Sequence, residues 1–470
     1  MQYSVVKYSS LKNTPSFRLD AEYYHPKALI YEERINQACG TTLKKYGCEI
    51  VSGPFGSSLK SEAYLHAGIP FIRISDLRDW IIDDSELIYI SKEDHTRLRS
   101  SRLQVGDLVL SKVGNTIGVV SIVTDEIGEC NISENNIGIR LPNSLSLEKK
   151  RFILAFLNSN PGQTQILRAV SGNAQPKLNV SDIENVKVAI FDSQLNPISE
   201  LIAESISLIQ MSKNLYHKAE KILLSELSLL DWKPKHQLSF VKNFSDSETA
   251  DRIDAEYFQP MYDELIEKVM QYGNGHKAVD ESVKIKDRNF TPKDEVSYKY
   301  IELANISANG HINGFIEAMG KDLPTRARLK VNTGDVIVSS IEGSLSSIAL
   351  INGDLDNALC STGFYVVNSD IFNSETLLVL LKSPLGQLQL KKGCSGTILT
   401  AINKEEFKRV LLPRISESIQ EQIKQKISEM YKAKSTSKKL LDIAKRSVEI
   451  AIEQGEEEAQ KWINEQIGTV

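Results

Sequence analysis

The stretch NPISELIAESISLIQMSKNLYHKAEKILLSELSLL, Asn196 to Leu230, decides how the rest of the chain is read. Its apolar residues fall at Ile198, Leu201, Ile202, Ile206, Ile209, Leu215, Tyr216, Ala219, Ile222, Leu223, Leu227 and Leu230. The steps are mostly threes and fours, which places these side chains in one stripe along a helix. Pro197 sits where a first turn tolerates a missing N–H, and Pro234 ends the run. A helix of ~35 residues at about 1.5 Å per residue is ~50 Å long. That exceeds the width of a small domain, so the stripe needs a partner helix. Ser416 to about Ile452 supplies one, with Ile419, Ile423, Ile427, Met430, Leu440, Leu441, Ala444, Val448 and Ala451. The expectation is that the two helices pair as a rod from whose ends everything else hangs.

Outward from this helix, the chain repeats itself. RLDAEYYHP at Arg18–Pro26 recurs as RIDAEYFQP at Arg252–Pro260. VGDLVLSKVGNTIGVVSIV at Val105–Val123 recurs as TGDVIVSSIEGSLSSIALI at Thr333–Ile351. GQTQILRAVSGNAQPKLNVSDIENVKV from Gly162 recurs as GQLQLKKGCSGTILTAINKEEFKRV from Gly386, and PFIRISDLRD at Pro70–Asp79 has a looser echo in KYIELANISAN at Lys299–Asn309. An offset near ~230 residues means a duplicated domain, because solenoid repeats run only ~20–50 residues. Each half reads as a short arm, the D-A-E-Y phrase, a short helix (26–38 and 259–272), a strand-rich region (43–190 and 279–412) and its long helix. Residues 69–74, 107–110 and 118–123 are β-branched-rich runs that read as strands. Residues 147–157 and 374–381 read as helices. Gly106-Asp107 and Gly334-Asp335 make turns feeding strands. The fold class is therefore α+β: two tandem domains with an internal pseudo-two-fold repeat, separated by two long antiparallel coiled-coil-like helices, with antiparallel strands expected in each domain.

Bulk properties set bounds on function. At 470 residues the chain holds two or more domains. No apolar run approaches the ~20 residues that span a bilayer, and MQYSVVKYSS lacks a secretory pattern. The five cysteines, Cys39, Cys48, Cys130, Cys360 and Cys394, form no C-x-x-C pair, so no zinc or disulfide framework is indicated and a cytoplasmic location is expected. The net charge of −5 means that any DNA contact must come from local basic positions.

The chemistry-bearing motifs are missing. There is no phosphate loop, nucleophile elbow or H-E-x-x-H. Tyr272-Gly273-Asn274-Gly275 follows a helix and reads as its end. Glu406-Phe407-Lys408 has the Glu-x-Lys shape of many nucleases, but the other copy reads Glu184-Asn185-Val186, so it is a surface helix face. Asp20 and Glu22 read as helix caps or partners of Arg18, and the paired aromatics Tyr23-Tyr24 and Tyr257-Phe258 as a plug fastening each arm. The expectation is a non-catalytic chain with no catalytic residue, no metal and no cofactor of its own.

Two related modules suit two separated targets on one rigid object, and duplex DNA offers equivalent groove faces ~34 Å apart. Candidate contacts lie in loops mixing Gly with Asn, Gln, Ser and Lys, since Asn and Gln pair with adenine edges and Lys with guanine or phosphate. They are Ser57, Lys60, Arg73, Lys112, Asn115, Thr116, Asn173, Gln175 and Lys177 in the first half, and Ser339, Ser344, Lys391, Lys392 and Thr397 in the second.

In its tandem halves, its G-I-P-F-I-R-I-S-D-L phrase (Gly68–Leu77), its G-D-L-V-L-S-K-V-G-N-T-I-G phrase (Gly106–Gly118), its S-G-x-x-Q-x-x-L-x phrase (Ser171–Asn179) and the helix after each module, the chain resembles the specificity subunit of type I restriction–modification systems. The resemblance covers nearly the whole length. It implies an arm plus target-recognition domain at 1–192, a spacer helix at 193–233, a linker arm plus second recognition domain at 234–413, and a closing spacer helix with an acidic tail at 414–470. It implies double-stranded DNA as ligand, each domain reading half of a bipartite target. Two methyltransferase (modification) subunits would bind the helical region, for which Ile202, Ile209, Tyr216, Leu223, Ile423, Ile427, Leu441 and Val448 are the candidate contacts. Restriction/translocase subunits would complete the complex, and S-adenosylmethionine, ATP and Mg would sit on the partners. The second domain departs from the first: YIELANI replaces FIRISDL, and SSIEGSLSS lacks the lysine of SKVGNT. The competing expectations are the specificity subunit of a type II-like enzyme, a nuclease using Glu406 and Lys408, and a coiled-coil protein-binding adaptor.

Overall fold

The computed structural model describes residues 5–6, 19–54, 56–172, 176–307, 309–396 and 400–467. It divides into two compact units, Met1–Ile209 with Ser435–Val470, and Gln210–Lys434.

In the first unit, the alternating apolar runs form two sheets. One has the order Glu49–Ser52, Asn136–Arg140, Leu108–Ser111, Val120–Ile122, Trp80–Ile81. The other has the order Ile88–Ile90, Ile69–Ile72, Cys130–Ile132, Arg102–Leu103. The second unit repeats both. Lys284–Lys286, Phe364–Asn368, Val336–Ser339 and Ile348–Leu350 make one sheet; Ile316–Met319, Ser297–Ile301, Leu359–Ser361 and Ala327–Lys330 make the other. Among the described residues, the Trp80–Ile81 strand has no counterpart in the second unit's sheet. Most pairings are antiparallel, as expected, but three of these four sheets are mixed. Phe71 opposite Asn131 and Tyr300 opposite Leu359 are parallel pairs at equivalent places, and Trp80 opposite Ser121 is a third.

The duplicated phrases have local physical causes. Gly106 and Gly334 both take φ of +89°, which a side chain resists. The following Asp107 and Asp335 turn their buried carboxylates back onto the chain. Asp107 accepts from the Gln104 and Leu141 N–H groups at 2.8 and 2.9 Å, and Asp335 from the Asn332 N–H at 2.8 Å. Burial raises the Asp107 carboxyl above its ordinary value. In the G-Q-x-Q phrase, Gln165 donates to the Lys187 carbonyl and accepts from the Lys187 N–H, both at 2.9 Å. Gln389 does the same to Leu411 at 3.0 and 2.8 Å. In each unit a side-chain amide thus serves as a missing strand partner.

The central helix spans Asp192–Glu226 and the closing helix Glu417–Gln454. The central helix starts one turn earlier than its periodicity implied, so Pro197 lies inside it and gives up one i→i−4 bond. It also stops well before Pro234. Ser228 adopts φ +53°, and the Leu229 N–H caps the Leu224 carbonyl at 2.8 Å, so a left-handed residue ends the helix.

Within the first unit the two helices run antiparallel. Ser205 meets Ser437 at 2.7 Å, and Gln194 accepts from Ser447 at 2.7 Å, all four side chains buried. Ile198, Leu201 and Ile202 share one core with Leu441, Ala444 and Val448, but also with Phe152, Leu108 and Leu110 of the sheet layer. In the second unit Tyr216, Ala219 and Leu223 share a core with Ile423, Ile427 and Met430, and with Val336, Leu378 and Leu381. The two helices pair antiparallel as expected, and each unit also covers its half of the helical stripe with its own sheet layer. A short helix, Glu456–Ile467, completes the first unit by burying Ala459 and Ile463.

Replacing Gln165 or Gln389 by Ala strands one half-buried N–H and one C=O. Each substitution should cost about 2 kcal/mol in denaturant unfolding of the intact chain, whereas Ala at the exposed Gln422 should cost close to nothing.

Candidate nucleic-acid interface

In the first unit, loops far apart in sequence converge. The strand Leu108–Ser111 delivers Lys112 and the turn Gly114–Thr116. Leu178 N–H donates to the Lys112 carbonyl at 3.1 Å, and Val113 bridges Lys177, so Lys177 and Leu178 lie beside this turn. Lys112 Nζ donates to Ser52 Oγ at 3.3 Å, which brings in the loop after the strand Glu49–Ser52. Of the expected contacts, Lys60, Asn115, Thr116 and Lys177 are exposed and Lys112 is half-buried. Thr116 is braced by Ser111 Oγ at 3.1 Å. Asn173 and Gln175, and the side chain of Ser57, lie outside the described residues.

A further segment was not anticipated. The turn Ser133–Asn135 joins the cluster, because the Lys112 N–H donates to Asn135 O at 2.9 Å and the Gly56 N–H to Glu134 Oε2 at 2.6 Å. Beneath it, the buried Ser133 Oγ and Asn136 Oδ1 have no hydrogen-bond partner among the described residues. The only hint in the sequence was its polar run, S-E-N-N, between two strands.

The second unit builds the equivalent place on the same plan. Ile341 bridges Ala401, the Glu342 N–H donates to Thr400 O at 3.0 Å, and the Ser340 N–H to Gly363 O at 2.9 Å. Its chemistry differs. Ser339 is fully buried and bonds Ser344 Oγ at 3.0 Å and the Ile341 N–H at 3.1 Å, so both serines brace the loop. Lys391 and Lys392 are held elsewhere, on Glu256 at 3.1 Å and Asp263 at 3.3 Å, and Lys392 also lies over the Tyr257 ring. They fasten the arm. Thr397 lies outside the described residues.

Arg73 is likewise structural. It bonds the buried Asp76 carboxylate at 2.9 and 3.2 Å and the Glu86 carbonyl at 2.7 Å. Among the expected partner contacts, Ile202, Tyr216, Leu223, Ile423, Ile427, Leu441 and Val448 are buried in their own units' cores, and Ile209 is half-buried. The seven buried side chains are taken up by their own units' cores.

The D-A-E-Y phrase itself is fastened to the body of each unit. Asp20 accepts from the Tyr23 N–H at 3.0 Å, and the Arg168 guanidinium lies 3.9 Å over the Tyr23 ring. In the second unit Arg252 lies 4.3 Å over Tyr257, and its hydrogen bonds hold the Asp254 carboxyl below the usual carboxylate range. Arg18 lies outside the described residues. Glu406 pairs with Arg409 and Lys408 with Glu405, a surface helix face as expected. The described residues hold no group of three or more His, Cys, Asp or Glu placed for a metal. Burial pushes the Cys48 and Cys394 thiols up to about 11, away from thiolate chemistry.

No family model matches the chain. Over 123 residues it is 28% identical to the specificity subunit of the type I restriction enzyme EcoBI of Escherichia coli, covering 26% of this chain and 25% of that protein. The match thus spans about a quarter of that relative's length. The S subunit of a type I restriction–modification system from M. genitalium overlays 88% of this chain and 94% of its own at 12% identity and TM-score 0.37. The HsdS subunit of Thermoanaerobacter tengcongensis overlays 87% and 97% at 14% identity and TM-score 0.26. Overlays this loose carry neither fold nor function.

Arg73→Ala leaves Asp76, 4% exposed, without its guanidinium. Unfolding should become easier by about 3 kcal/mol, the low end for a broken buried pair because a third of Arg73 remains in water. The loss should appear as lowered stability and leave the salt dependence of any DNA binding unchanged.

Proposed function

We propose that this chain is the DNA-specificity subunit of a type I restriction–modification complex, reading a bipartite duplex target with its two units. The observation that carries the reading is the double construction. The same sheet topology occurs twice, and each copy brings one Gly- and Ser-containing loop against the segment that follows the G-Q-x-Q helix. A duplicated module with differing loop chemistry is what reading two unlike half-sites requires. The 28% identity to the EcoBI specificity subunit supports the same reading.

In this proposal the braced serines and Gly-rich turns hold the backbone, while Lys60, Lys112, Asn115 and Lys177 face phosphates and base edges in the first half-site. Backbone-positioning contacts fix register, and side chains at groove edges set sequence. The chain supplies no chemistry of its own. Modification subunits bring S-adenosylmethionine for adenine methylation, and restriction subunits bring ATP-driven translocation and cleavage. Phosphate contacts from those partners compensate for a net charge of −5.

The reading predicts that the purified chain binds a mixed-sequence duplex with affinity falling steeply as salt rises. Lys112→Ala and Lys177→Ala should each weaken binding several-fold and lower the log–log salt slope by ~1. Wild-type slopes in both variants would remove those lysines from the interface. Salt-independent or absent binding by the wild type would overturn the DNA reading.

A further inference from the structure

The loop cluster of the second unit lacks the lysines of the first. In the first unit Leu178 donates to the Lys112 carbonyl and Val113 bridges Lys177. At the same register in the second unit, the Ile402 N–H donates to the Ser340 carbonyl at 2.8 Å and Ile341 bridges Ala401. A serine and an alanine thus stand where Lys112 and Lys177 do. Lys391 and Lys392 are taken by Glu256 and Asp263. Both halves of a duplex target carry the same phosphate charge, so the second unit needs cations from another element.

The strand Ala327–Lys330 and the loop after Lys284–Lys286 supply them. The strand lies at the edge of its sheet. Ala327 and Leu329 are buried, whereas Arg326 and Lys330 are exposed and Arg328 is half-buried. Ala327 opposes Ser361 and Leu329 opposes Cys360, so Arg328 is the extra residue of a bulge. Asn289 bridges Leu329, and the Phe290 N–H donates to the Arg328 carbonyl at 2.7 Å, which lays the exposed Arg288 and its loop beside the strand. Arg288, Arg326, Arg328 and Lys330 therefore share one patch.

This patch joins the loop cluster directly. The Arg326 carbonyl accepts from the Thr362 N–H at 2.9 Å, and the next residue, Gly363, accepts from the Ser340 N–H at 2.9 Å. The exposed Thr362 stands in the turn equivalent by register to Ser133–Asn135. Among the described residues, neither the Arg288 nor the Arg326 guanidinium has an ion-pair or hydrogen-bond partner. Burial raises the Tyr300 phenol, and the Arg326 charge opposes that rise, so its near neighbour is a neutral one. The Arg328 guanidinium donates to the Thr325 carbonyl at 3.0 Å. Carboxylates close by are engaged: Asp287 pairs with Lys404, and Asp356 accepts from the Thr333 N–H at 2.9 Å.

We infer, on the basis of the proposed function above, that this patch grips the DNA backbone of the second half-site, with Arg288 and Arg326 as its phosphate contacts. The two units then hold DNA by different elements, the first by the loops carrying Lys112 and Lys177, the second by a sheet edge. A guanidinium keeps its charge at every physiological pH and offers several donors to phosphate oxygens. Alternate strand residues stand ~7 Å apart, on the scale of successive phosphates of one DNA strand.

The test titrates the full chain against one mixed-sequence DNA duplex over a range of salt concentrations. The wild type should bind with a steep log–log salt slope. Arg288→Gln combined with Arg326→Gln should weaken binding roughly tenfold and lower the slope by ~2, and each single variant should lower it by ~1. Arg326→Lys keeps the charge and should hold the wild-type slope. Lys284→Gln combined with Lys321→Gln removes the same charge from lysines already paired with Asp370 and Glu295, and should leave binding unchanged. Unchanged circular dichroism would show that folding is intact, and the single variants carry the test if the double one unfolds. A wild-type slope in the arginine variants would overturn the inference and leave the proposed function standing. An equal loss in the paired-lysine control would assign the effect to net charge and also overturn it. A wild type that prefers duplex RNA of the same length, and loses it in the variants, would assign the patch to RNA and overturn the DNA claim. A wild type without salt-dependent binding would overturn both the inference and the proposed function.

Discussion

The apolar stripe along the central helix is the constraint on which the other parts depend. A helix of 35 residues with apolar side chains every three or four positions cannot leave that stripe in water. The chain resolves this by giving Asp192–Ile209 to one core and Gln210–Glu226 to the other, each half closed by the antiparallel stretch of the closing helix. Because the stripe is shared with the sheet layer, each loop cluster is built directly on its helix pair. Leu108, Leu110, Phe152 and Ile202 are parts of one core, so the loops at the end of Leu108–Ser111 inherit their position from the helix.

That arrangement explains what the repeated phrases are for. They mark backbone devices: a left-handed glycine before a buried aspartate, a glutamine replacing a strand partner, a serine bracing a turn. Those devices recur in both units with nearly the same distances, while the residues they hold out to solvent differ. Ser111 with Thr116 becomes Ser339 with Ser344, yet the neighbouring Lys112 becomes Ser340. A duplicated frame with unlike outward residues is what the proposed two-part reading requires.

Much of this was legible in the sequence, because periodicity and repetition report on backbone and core. The helix pair, the doubled α+β domain, the Gly-Asp turns and the arm-fastening D-A-E-Y phrase follow from spacing alone. What was not legible depends on contacts across the fold. Lys391 and Lys392 look like phosphate binders until Glu256 and Asp263, more than a hundred residues earlier, are found against them. Arg73 looks free until Asp76 is seen to be buried beneath it. The stripe residues Ile202 and Leu223 have the composition of a partner surface, and only packing shows that their own units consume them. The turn at Ser133–Asn135 carries no motif; its place beside Lys112 comes from sheet register. Helix ends were misplaced for a similar reason, since a serine at φ +53° ended the central helix before its proline could.

In the proposed function, two similar frames with unlike loops read two halves of one DNA target for a methyltransferase. The most direct measurement is methylome sequencing of a host that expresses this chain with its neighbouring modification subunit, compared with the same host lacking this gene. A split, adenine-methylated motif should disappear when the gene is removed. An unchanged methylome, with the modification subunit shown to be active, would contradict it.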